Sequence, residues 1–408
     1  MRFLAAAATP LKISWIIQSL LKHINGNGRA EFEEALKKYF NKTSVYTFTS
    51  LMRTNYACLL ALKLSTHGDK KRIILPRYSC PSFIHAILAS ELEPVYCDIN
   101  PETLSIDINS LERIDTKNVL AIICTNLFGL SSKVEEIRNF CNKHDIYMIE
   151  GVDYGIGSKY DKKLIGTESD FTILNFQEGK AIPIGGGAVI TNHESIMNLL
   201  NISGNTHSTK IFTLIAYRFA IMPFFYWLFM KIVIFLGFNR KKLSMEDTIR
   251  NTSKEFDFSF EPPSVFTSIS NFQASLGLIV LNNLESFIEA RKINAYKIEE
   301  ELMNIGYIKL IKREEKLDIV HYIRYPILVD PELRESVLKE LLEKGIEASP
   351  MYVEHGMNIN PLEFPGSYKV LSEILTLPCH PYVNTKDILK MSKIINNFSS
   401  CKSLCMEE

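Results

Sequence analysis

Short runs with high strand propensity alternate with helical segments through the first half of this 408-residue chain. Parallel strands are joined by long crossover connections, usually helices, so the alternation predicts an α/β fold built on a large, doubly wound, mostly parallel sheet. The strand-like runs are 44–48, 72–76, 94–98, 119–124, 146–150, 171–176 and 187–191. Ligands of such sheets bind at the carboxyl ends of strands, which draws attention to the residues that follow 150 and 176.

The length of the chain favours two domains. We expect a large domain over 1–270 and a smaller α+β carboxyl-terminal domain over 271–408. Asn271 to Leu302 is predicted to form one long helix or two that link them. Within the smaller domain we expect strands at Ile319–Leu328 and in the run ending at Leu377, and helices at Ser336–Glu343 and Thr385–Asn396.

An apolar, aromatic-rich insertion is expected at about 201–258, with its densest part at 211–238. Arg218 and Lys231 leave too short a clean apolar run for a spanning helix, which needs roughly 20 residues. Pro223 favours two short helices. They would enter an interface or contact a membrane surface, and burial against the protein's own body or a dimer mate is the alternative. We also expect the segment to be dispensable for cofactor binding.

Composition limits the function. Lys plus Arg and Asp plus Glu both number 46, so nothing predicts a nucleic-acid-binding surface, which needs clustered excess positive charge. The 8 cysteines are scattered without metal-ligand spacing, which indicates a reduced, cytoplasmic chain without a zinc site. His355 and His380 are expected to be ordinary surface or core histidines.

Lys180 is the strongest candidate for chemistry. It follows the strand-like run 171–176, and a Gly185-Gly186-Gly187 turn leads into the next run. A lysine that acts as a Schiff-base nucleophile needs a rigid mount at a strand end, small neighbours that let a flat cofactor approach, and few competing amines. The segment offers all three, although a surface lysine in a hairpin would have the same pattern.

Motifs spread over most of the chain resemble those of the DegT/DnrJ/EryC1/StrS family, the sugar aminotransferases that use pyridoxal 5'-phosphate (PLP) and have the fold type I architecture. The similar segments are Glu91–Asp107, Leu127–Gly129, Ile149–Glu150, Gly157–Ser158, Gln273–Leu278 and Leu377–Pro381. In this alignment Lys180 falls on the lysine that bonds the cofactor. The resemblance implies PLP as cofactor, small-molecule substrates and a homodimer.

The resemblance also implies a phosphate cradle at Ser50–Asn55, before a helix at Tyr56–Leu64. Met52 and Arg53 stand at the glycine and threonine positions of the family motif, beside Thr54. A helix amino terminus still offers N–H groups to an anion, and Arg53 would add charge. The alternative is an ordinary helix cap by Ser50 or Thr54. Asn175 replaces a phosphate-binding serine and keeps a donor.

The position of the family's counter-ion to the pyridine nitrogen is altered. Gly151 replaces that aspartate, and Asp153 replaces an alanine that lies under the ring. Residues two apart in an extended strand end face the same side, so Asp153 is predicted to reach the cofactor while Gly151 leaves room beside it. The alternative is that Asp153 is only a turn residue.

Other implied cofactor-binding residues are Tyr154, near the ring hydroxyl; Cys80, on a ring face; and Gln177, close to Lys180. Tyr352 matches a tyrosine near the substrate. The implied reaction is transfer of an amino group from a donor such as glutamate to a nucleotide-linked keto sugar, in glycan biosynthesis. Two rivals remain: a PLP-dependent lyase or dehydratase variant, and a non-catalytic protein that keeps the fold.

Overall fold

The computed structural model describes residues 2–24, 26–66, 69–203, 210–235, 263–352 and 359–398. The predicted strands of the first half are all present. The strands up to residue 191 are β1 (Ser44–Phe48), β2 (Arg72–Pro76), β3 (Glu93–Cys97), β4 (Val119–Thr125), β5 (Tyr147–Gly151), β6 (Lys159–Tyr160), β7 (Lys163–Leu164), β8 (Phe171–Asn175) and β9 (Gly187–Thr191).

The main sheet has the strand order β1-β9-β8-β5-β4-β2-β3. Strand β9 runs antiparallel to both of its neighbours, and the other neighbouring pairs are parallel. The α/β fold with a mostly parallel sheet is therefore confirmed. Because β5 and β8 are adjacent and parallel, the segments that follow them leave the same edge of the sheet, which brings the regions of Asp153 and Lys180 together.

Alternate residues of the central strands enter two different hydrophobic clusters. In β4, Ile122 packs in one cluster and Ile123 in the other, and Ile73 and Ile74 of β2 divide in the same way. Successive side chains of a strand point to opposite faces, so both faces of the sheet are covered. This burial explains why the strands are nearly continuous apolar runs in the sequence.

The helices of the first half connect or flank these strands, and α2 covers residues 28–40, where the helical spacing of Phe32, Leu36, Tyr39 and Phe40 predicts a helix. They are α1 (Ile13–Ile24), α2 (Gly28–Phe40), α3 (Leu51–Ser65), α4 (Pro81–Ala89), α5 (Ile108–Glu112), α6 (Val134–His144), α7 (Glu194–Met197), α8 (Ile211–Ala220) and α9 (Pro223–Phe235). Strand β10 (Ile202–Ser203) pairs in parallel with β11 (Phe266–Thr267) near the insertion.

The carboxyl-terminal part contains two linking helices and a small antiparallel sheet of order β12-β14-β15. Its elements are α10 (Asn271–Asn282), α11 (Leu284–Leu302), β12 (Ile308–Leu310), β13 (Leu317–Ile319), β14 (Tyr325–Val329), α12 (Pro331–Glu343), α13 (Pro365–Glu373), β15 (Ile374–Leu377) and α14 (Thr385–Asn396). The division of the chain at residue 270 stays a prediction.

One detail corrects the predicted elements of this part, and another shows that the link is two helices, one of the two predicted alternatives. The expected strand at Ile319–Leu328 is two separate strands, because β13 pairs with β6 in another sheet and β14 starts only at Tyr325. The linking helix is broken at Asn283, and its first half starts with a capping box in which Ser270 and Gln273 satisfy each other's backbone N–H.

The amino-terminal segment lies in the interior. Leu4 forms a bridge with Ile346, and Ala6 N–H donates to the Glu347 carboxylate. Phe3 packs edge-on against Tyr226 of the insertion, with the ring centroids 5.2 Å apart. The segment is therefore sandwiched between the insertion and the carboxyl-terminal part.

The insertion forms the two short helices that Pro223 predicts, with Pro223 at the first position of α9. The two helices enclose an angle of 93°. No single helix in the described residues is long and apolar enough to cross a membrane, although the two helices of this bent pair, taken together, have the length and apolar composition of a span. Residues 204–209 and 236–258 of the predicted insertion lie outside the described residues.

Candidate active site

Lys180 lies in the turn between β8 and β9, five positions beyond the last residue of β8 rather than on the strand itself. Its backbone N–H donates to Gln177 O at 3.1 Å. Gly185 and Gly186 have positive φ, and Phe176 and Gly185 are joined by a backbone hydrogen bond that starts the return into β9. These backbone hydrogen bonds hold the turn that carries Lys180 against the ends of β8 and β9.

The amine of Lys180 sits between a carboxylate and an aromatic ring. Its Nζ is 4.0 Å from Asp153 Oδ2, and the Lys180 side chain is only 12% exposed. The same Nζ lies 3.3 Å from the centroid of the Tyr154 ring, within the range of a cation–π contact. Three of the predicted site residues therefore meet at one atom.

Asp153 follows the carboxyl end of β5 and is buried. Burial raises the pKa of its carboxyl group above the ordinary value of 3.8, whereas Lys180 and a hydrogen bond from Asn175 lower it. Asn175 Oδ1 also accepts from Gln177 N–H at 2.9 Å. Asp153, Asn175 and Gln177 thus belong to one connected polar group around the lysine.

Gly151 does not leave the open space that the sequence predicts. A Cβ atom built there would lie 3.2 Å from Cζ of Phe83 and 3.5 Å from Asp153 Oδ1. The ring of buried Phe83, on α4, therefore fills the volume where a side chain of residue 151 would begin. Sequence reasoning missed Phe83, since nothing near this helical residue in the sequence marks it as a neighbour of Gly151 on β5.

The proposed phosphate cradle is the first turn of α3, which begins at Leu51 and not near Tyr56. Ser50 caps this helix by accepting from Arg53 N–H at 3.2 Å, so the ordinary-cap interpretation holds for Ser50. Thr54 Oγ1 donates to Ser50 O, and Met52 is buried. The helix terminus still presents N–H groups and a dipole that favour an anion.

This helix terminus lies next to the end of β8. A Cβ atom at Gly187 would lie 2.5 Å from Thr54 Oγ1 and 2.7 Å from Leu174 O, so only glycine allows the contact. Gly187 is also the β9 partner of Asn175. The chain therefore brings Thr54 and Asn175 to the same corner, as a shared anion site requires.

Cys80 is the residue before α4 and is partly buried. Burial raises the pKa of its thiol, with smaller effects of Ser82, Asp153 and Lys180, so a neutral thiol faces the site. Its Sγ is 3.1 Å from Ser82 Oγ, which accepts from Asn55 Nδ2 at 3.1 Å. Its position as a wall residue of the cofactor ring stays a prediction, and its low thiolate content argues against a nucleophilic role.

Tyr352 reaches the site from the carboxyl-terminal part. It is buried with φ of 67°, and its ring centroid is 5.4 Å from that of Tyr78. Burial raises the pKa of Tyr352 well above 10, and Tyr154, Cys80, Tyr78 and Asp153 raise it further. Tyr78, whose hydroxyl donates to Met351 O at 3.0 Å, is a second residue that sequence reasoning missed.

His380 lies in the interior and is not among the residues that surround Lys180. His380 Nε2 donates to Ala5 O at 2.8 Å in the interior, and burial lowers its pKa to about 3, as expected of a core histidine. His355 lies outside the described residues.

The residues that converge here fit PLP, which needs an amine, a carboxylate, ring walls and an anion site. Lys180 and Asp153 supply the first two, Cys80 and Tyr154 the walls, and the α3 terminus the last. Two buried atoms that border the group, Asn55 Oδ1 and Ser79 Oγ, have no hydrogen-bond partner among the described residues. Such atoms are usually satisfied by a bound group or water.

Curated relatives are similar over most of the chain. Bacillus subtilis 3-oxo-glucose-6-phosphate:glutamate aminotransferase is 28% identical over 378 residues, which cover 88% of this chain and 73% of the relative. Escherichia coli O157:H7 GDP-perosamine synthase is 24% identical over 388 residues, or 92% of each protein.

The fold is also that of a solved aminotransferase. Helicobacter pylori PseC, an aminotransferase involved in the biosynthesis of pseudoaminic acid, superposes with a TM-score of 0.72 at 20% identity, covering 98% of this chain and 100% of PseC. The sequence profile of one family matches residues 11–213 and 240–396. The chain therefore belongs to the DegT/DnrJ/EryC1/StrS aminotransferase family, whose members depend on PLP.

Proposed function

We propose that this protein transfers an amino group from an amino acid to the carbonyl carbon of a keto sugar, with Lys180 as its catalytic residue. The observation that carries the proposal is the Lys180 amine, almost buried at the sheet edge between the Asp153 carboxylate and the Tyr154 ring. A surface lysine of a hairpin would instead point into solvent. The nitrogen leaves the donor as it becomes a 2-oxo acid and ends on the sugar.

The roles of the residues follow from their positions. PLP supplies, when bound, the electron-withdrawing ring that makes the carbon–hydrogen bond next to the nitrogen acidic. Lys180 Nζ accepts that proton and returns it two atoms away, to the carbon on the other side of the nitrogen. Asp153 presents a carboxylate to the cofactor, and Cys80 and Tyr154 keep water from the cofactor ring. The phosphate is held by Thr54, Asn175 and the α3 terminus, which includes Met52 and Arg53. Gln177 orders the turn that carries Lys180, and Tyr352 faces the substrate.

The substrate class comes from the relatives. The names of the B. subtilis and E. coli proteins specify a keto sugar phosphate with glutamate and a GDP-linked sugar product, respectively. We propose a keto sugar attached to a nucleotide, with glutamate as donor and a product used in glycan biosynthesis. We further propose a homodimer, because the family's sites form between subunits, and a cytoplasmic enzyme, because the described cysteines are unpaired.

An absorbance scan of purified protein incubated with PLP tests the cofactor part. We expect a band at the border of the visible and ultraviolet that borohydride abolishes, with the reduced cofactor on the peptide that contains Lys180. Transfer of ¹⁵N from labelled glutamate to nucleotide-linked keto sugars tests the reaction. A protein without the band contradicts the cofactor assignment, and a band without ¹⁵N transfer to any keto sugar contradicts the substrate class.

We also propose that the outward face of the insertion rests on an anionic membrane surface. Leu214, Tyr217 and Met230 face inward, whereas Phe212 is 88% and Phe224 56% exposed. Other exposed apolar residues of this face are Phe219, Phe225, Leu228, Phe229 and Ile232. The segment 211–235 contains Arg218 and Lys231 and no acidic residue, which suits an anionic lipid surface.

Flotation with vesicles that contain anionic lipid tests this second proposal. The combined change Phe212→Ser, Phe224→Ser and Ile232→Ser removes three exposed apolar side chains without touching the inward face. At roughly 1–2 kcal/mol for each side chain inserted, we expect vesicle binding to fall at least about tenfold. A matched control replaces Leu88, Leu362 and Leu389, which are exposed elsewhere, with serine. Equal flotation of both variants, or a parent dimer that buries this face, would contradict membrane contact.

A further inference from the structure

The insertion contacts the lysine turn directly. The phenol oxygen of Tyr217, on α8, accepts hydrogen bonds from Gly179 N–H and from Thr9 N–H, each at 3.3 Å. Gly179 immediately precedes Lys180. Tyr217 is buried, and burial raises the pKa of its phenol to about 12, so it remains a neutral hydroxyl at physiological pH. The segment therefore contacts the turn that carries Lys180, and its being dispensable for cofactor binding stays a prediction.

Thr9 holds the other side of the same turn. Its Oγ1 donates to Lys180 O at 2.7 Å and accepts from Arg291 at 2.6 Å. The guanidinium of Arg291 is fully buried and also donates to Ala8 O and to His321 Nε2, each at 2.8 Å. A rigid, buried cation thus anchors Thr9, and Thr9 anchors the carbonyl of the catalytic lysine.

The imidazole of His321 is fixed in one form. Its Nδ1 faces Ile156 O at 2.6 Å and must donate there, so Nε2 is left to accept from Arg291. Burial lowers the pKa of His321 well below 6.5, and Arg291 lowers it further. The ring is therefore neutral, and the hydrogen bonds run outward from Arg291 on both sides, through His321 to Ile156 O and through Thr9 to Lys180 O.

We propose that Tyr217 is a positioning residue of the aminotransferase site, through which the insertion helps to hold the Lys180 turn in its reactive geometry. Lys180 N–H, Lys180 O and the preceding N–H are bonded to Gln177, Thr9 and Tyr217 respectively. Displacement of the backbone by about 1 Å can cost a hundredfold in rate. The kinetic consequences of this inference rest on the proposed function. The support of the Lys180 turn by hydrogen bonds does not depend on that function.

Tyr217→Phe tests the proposal, because it removes one oxygen and leaves the ring in place. Tyr226→Phe is the matched control: Tyr226 is a buried tyrosine of the same insertion, but its hydroxyl donates to Glu347 Oε2 at 2.7 Å and not to the lysine turn. Tyr217→Phe deletes the two buried hydrogen bonds that the phenol oxygen accepts, and Tyr226→Phe deletes one buried hydrogen bond to a carboxylate, so we expect small losses in melting temperature in both variants, of about 1–3 °C.

The two variants should differ at the lysine turn. In the protein without cofactor, amide hydrogen exchange of the peptide that contains Gly179 and Lys180 should become about tenfold faster in Tyr217→Phe and stay unchanged in Tyr226→Phe. With PLP and substrates, Tyr217→Phe should lower kcat about tenfold at unchanged KM, and shift the pH midpoint of the absorbance of lysine-bound PLP. Equal exchange in both variants would overturn the proposal, whether or not the parent binds PLP.

A second pair of variants guards against misfolding. Thr9→Val removes the hydroxyl that joins Arg291 to Lys180 O, whereas Thr9→Ser keeps it. We expect Thr9→Val to reproduce the faster exchange and the lower kcat, and Thr9→Ser to restore both towards the parent values. If Thr9→Ser and Thr9→Val behave alike, the hydroxyl does not support the turn and the proposal fails. Absence of PLP binding in the parent would instead contradict the proposed function alone.

Discussion

Lys180→Ala is expected to abolish amine transfer and the absorbance of lysine-bound PLP while the chain still folds. Lys180 is the only lysine of the 170–191 segment, so no neighbouring amine of this turn can take its place. Turnover and borohydride labelling measure the loss. Lys163→Ala serves as the control, because Lys163 is an exposed lysine paired with Glu168 at 3.2 Å. Full activity in Lys180→Ala would contradict the aminotransferase proposal.

The same variant should change the dependence of stability on pH. Burial already raises the pKa of Asp153 above 3.8, and Lys180 opposes the rise, so loss of Lys180 raises this pKa further. A raised carboxyl pKa favours the folded state below 3.8, where Asp153 is protonated in both states, and costs stability as the pH rises through the folded value. We therefore expect Lys180→Ala to be nearly neutral at pH 3 and destabilised by roughly 1–3 kcal/mol at pH 7 in urea unfolding.

Asp153→Ala is expected to lower turnover and weaken cofactor retention if this carboxylate has replaced the one lost at Gly151. A carboxylate near the pyridine nitrogen favours its protonated form, which makes the ring a better electron sink. A loss of roughly 1–3 kcal/mol in the interaction free energy of this carboxylate corresponds to a rate decrease of up to about a hundredfold. Asp153→Asn separates charge from shape. Unchanged turnover and PLP affinity in both variants would leave Asp153 as a turn residue.

Phe83 determines whether the carboxylate can be moved back. In Gly151→Asp with Asp153→Ala, the new Cβ would lie 3.2 Å from Phe83 Cζ, so we expect little recovery and an overpacking cost of about 1–3 kcal/mol. Addition of Phe83→Leu, which removes the end of the ring, should restore turnover and PLP retention in part. Phe83→Leu alone is the control for packing. Recovery in the double variant without Phe83→Leu would show that the ring does not restrict the site.

The sequence was sufficient for the local elements. The bounds of β1, β2 and α2, the two helices on either side of Pro223, and the placement of Lys180 after β8 agree with the prediction, because strand and helix periods and proline are properties of consecutive residues. The mostly parallel sheet followed from the alternation of elements. The resemblance to family motifs added the chemistry of Lys180, which periodicity alone leaves as one hairpin lysine among others.

The sequence was misleading where a neighbour lies far along the chain. It predicted room beside Gly151, which the ring of Phe83 on α4 fills. It also predicted the start of α3 several residues too late, because Ser50, which caps this helix, is a residue type that is common in loops as well. Nothing in the sequence indicates that the insertion contacts the turn that carries Lys180. The residues that Tyr217 joins, Thr9 and Gly179, are 208 and 38 positions away from it, and no local pattern marks such a contact.

Residue identity and spacing along the chain determined which side chains can carry chemistry, since a lysine supplies an amine and an aspartate a carboxyl group wherever each stands in the sequence. The tertiary structure alone decided what those groups meet: the Asp153 carboxylate and Tyr154 ring around Lys180, and the Thr9 and Arg291 support behind it. The physical reason is that burial and hydrogen-bond geometry depend on distances between elements, which are fixed only when the whole core packs.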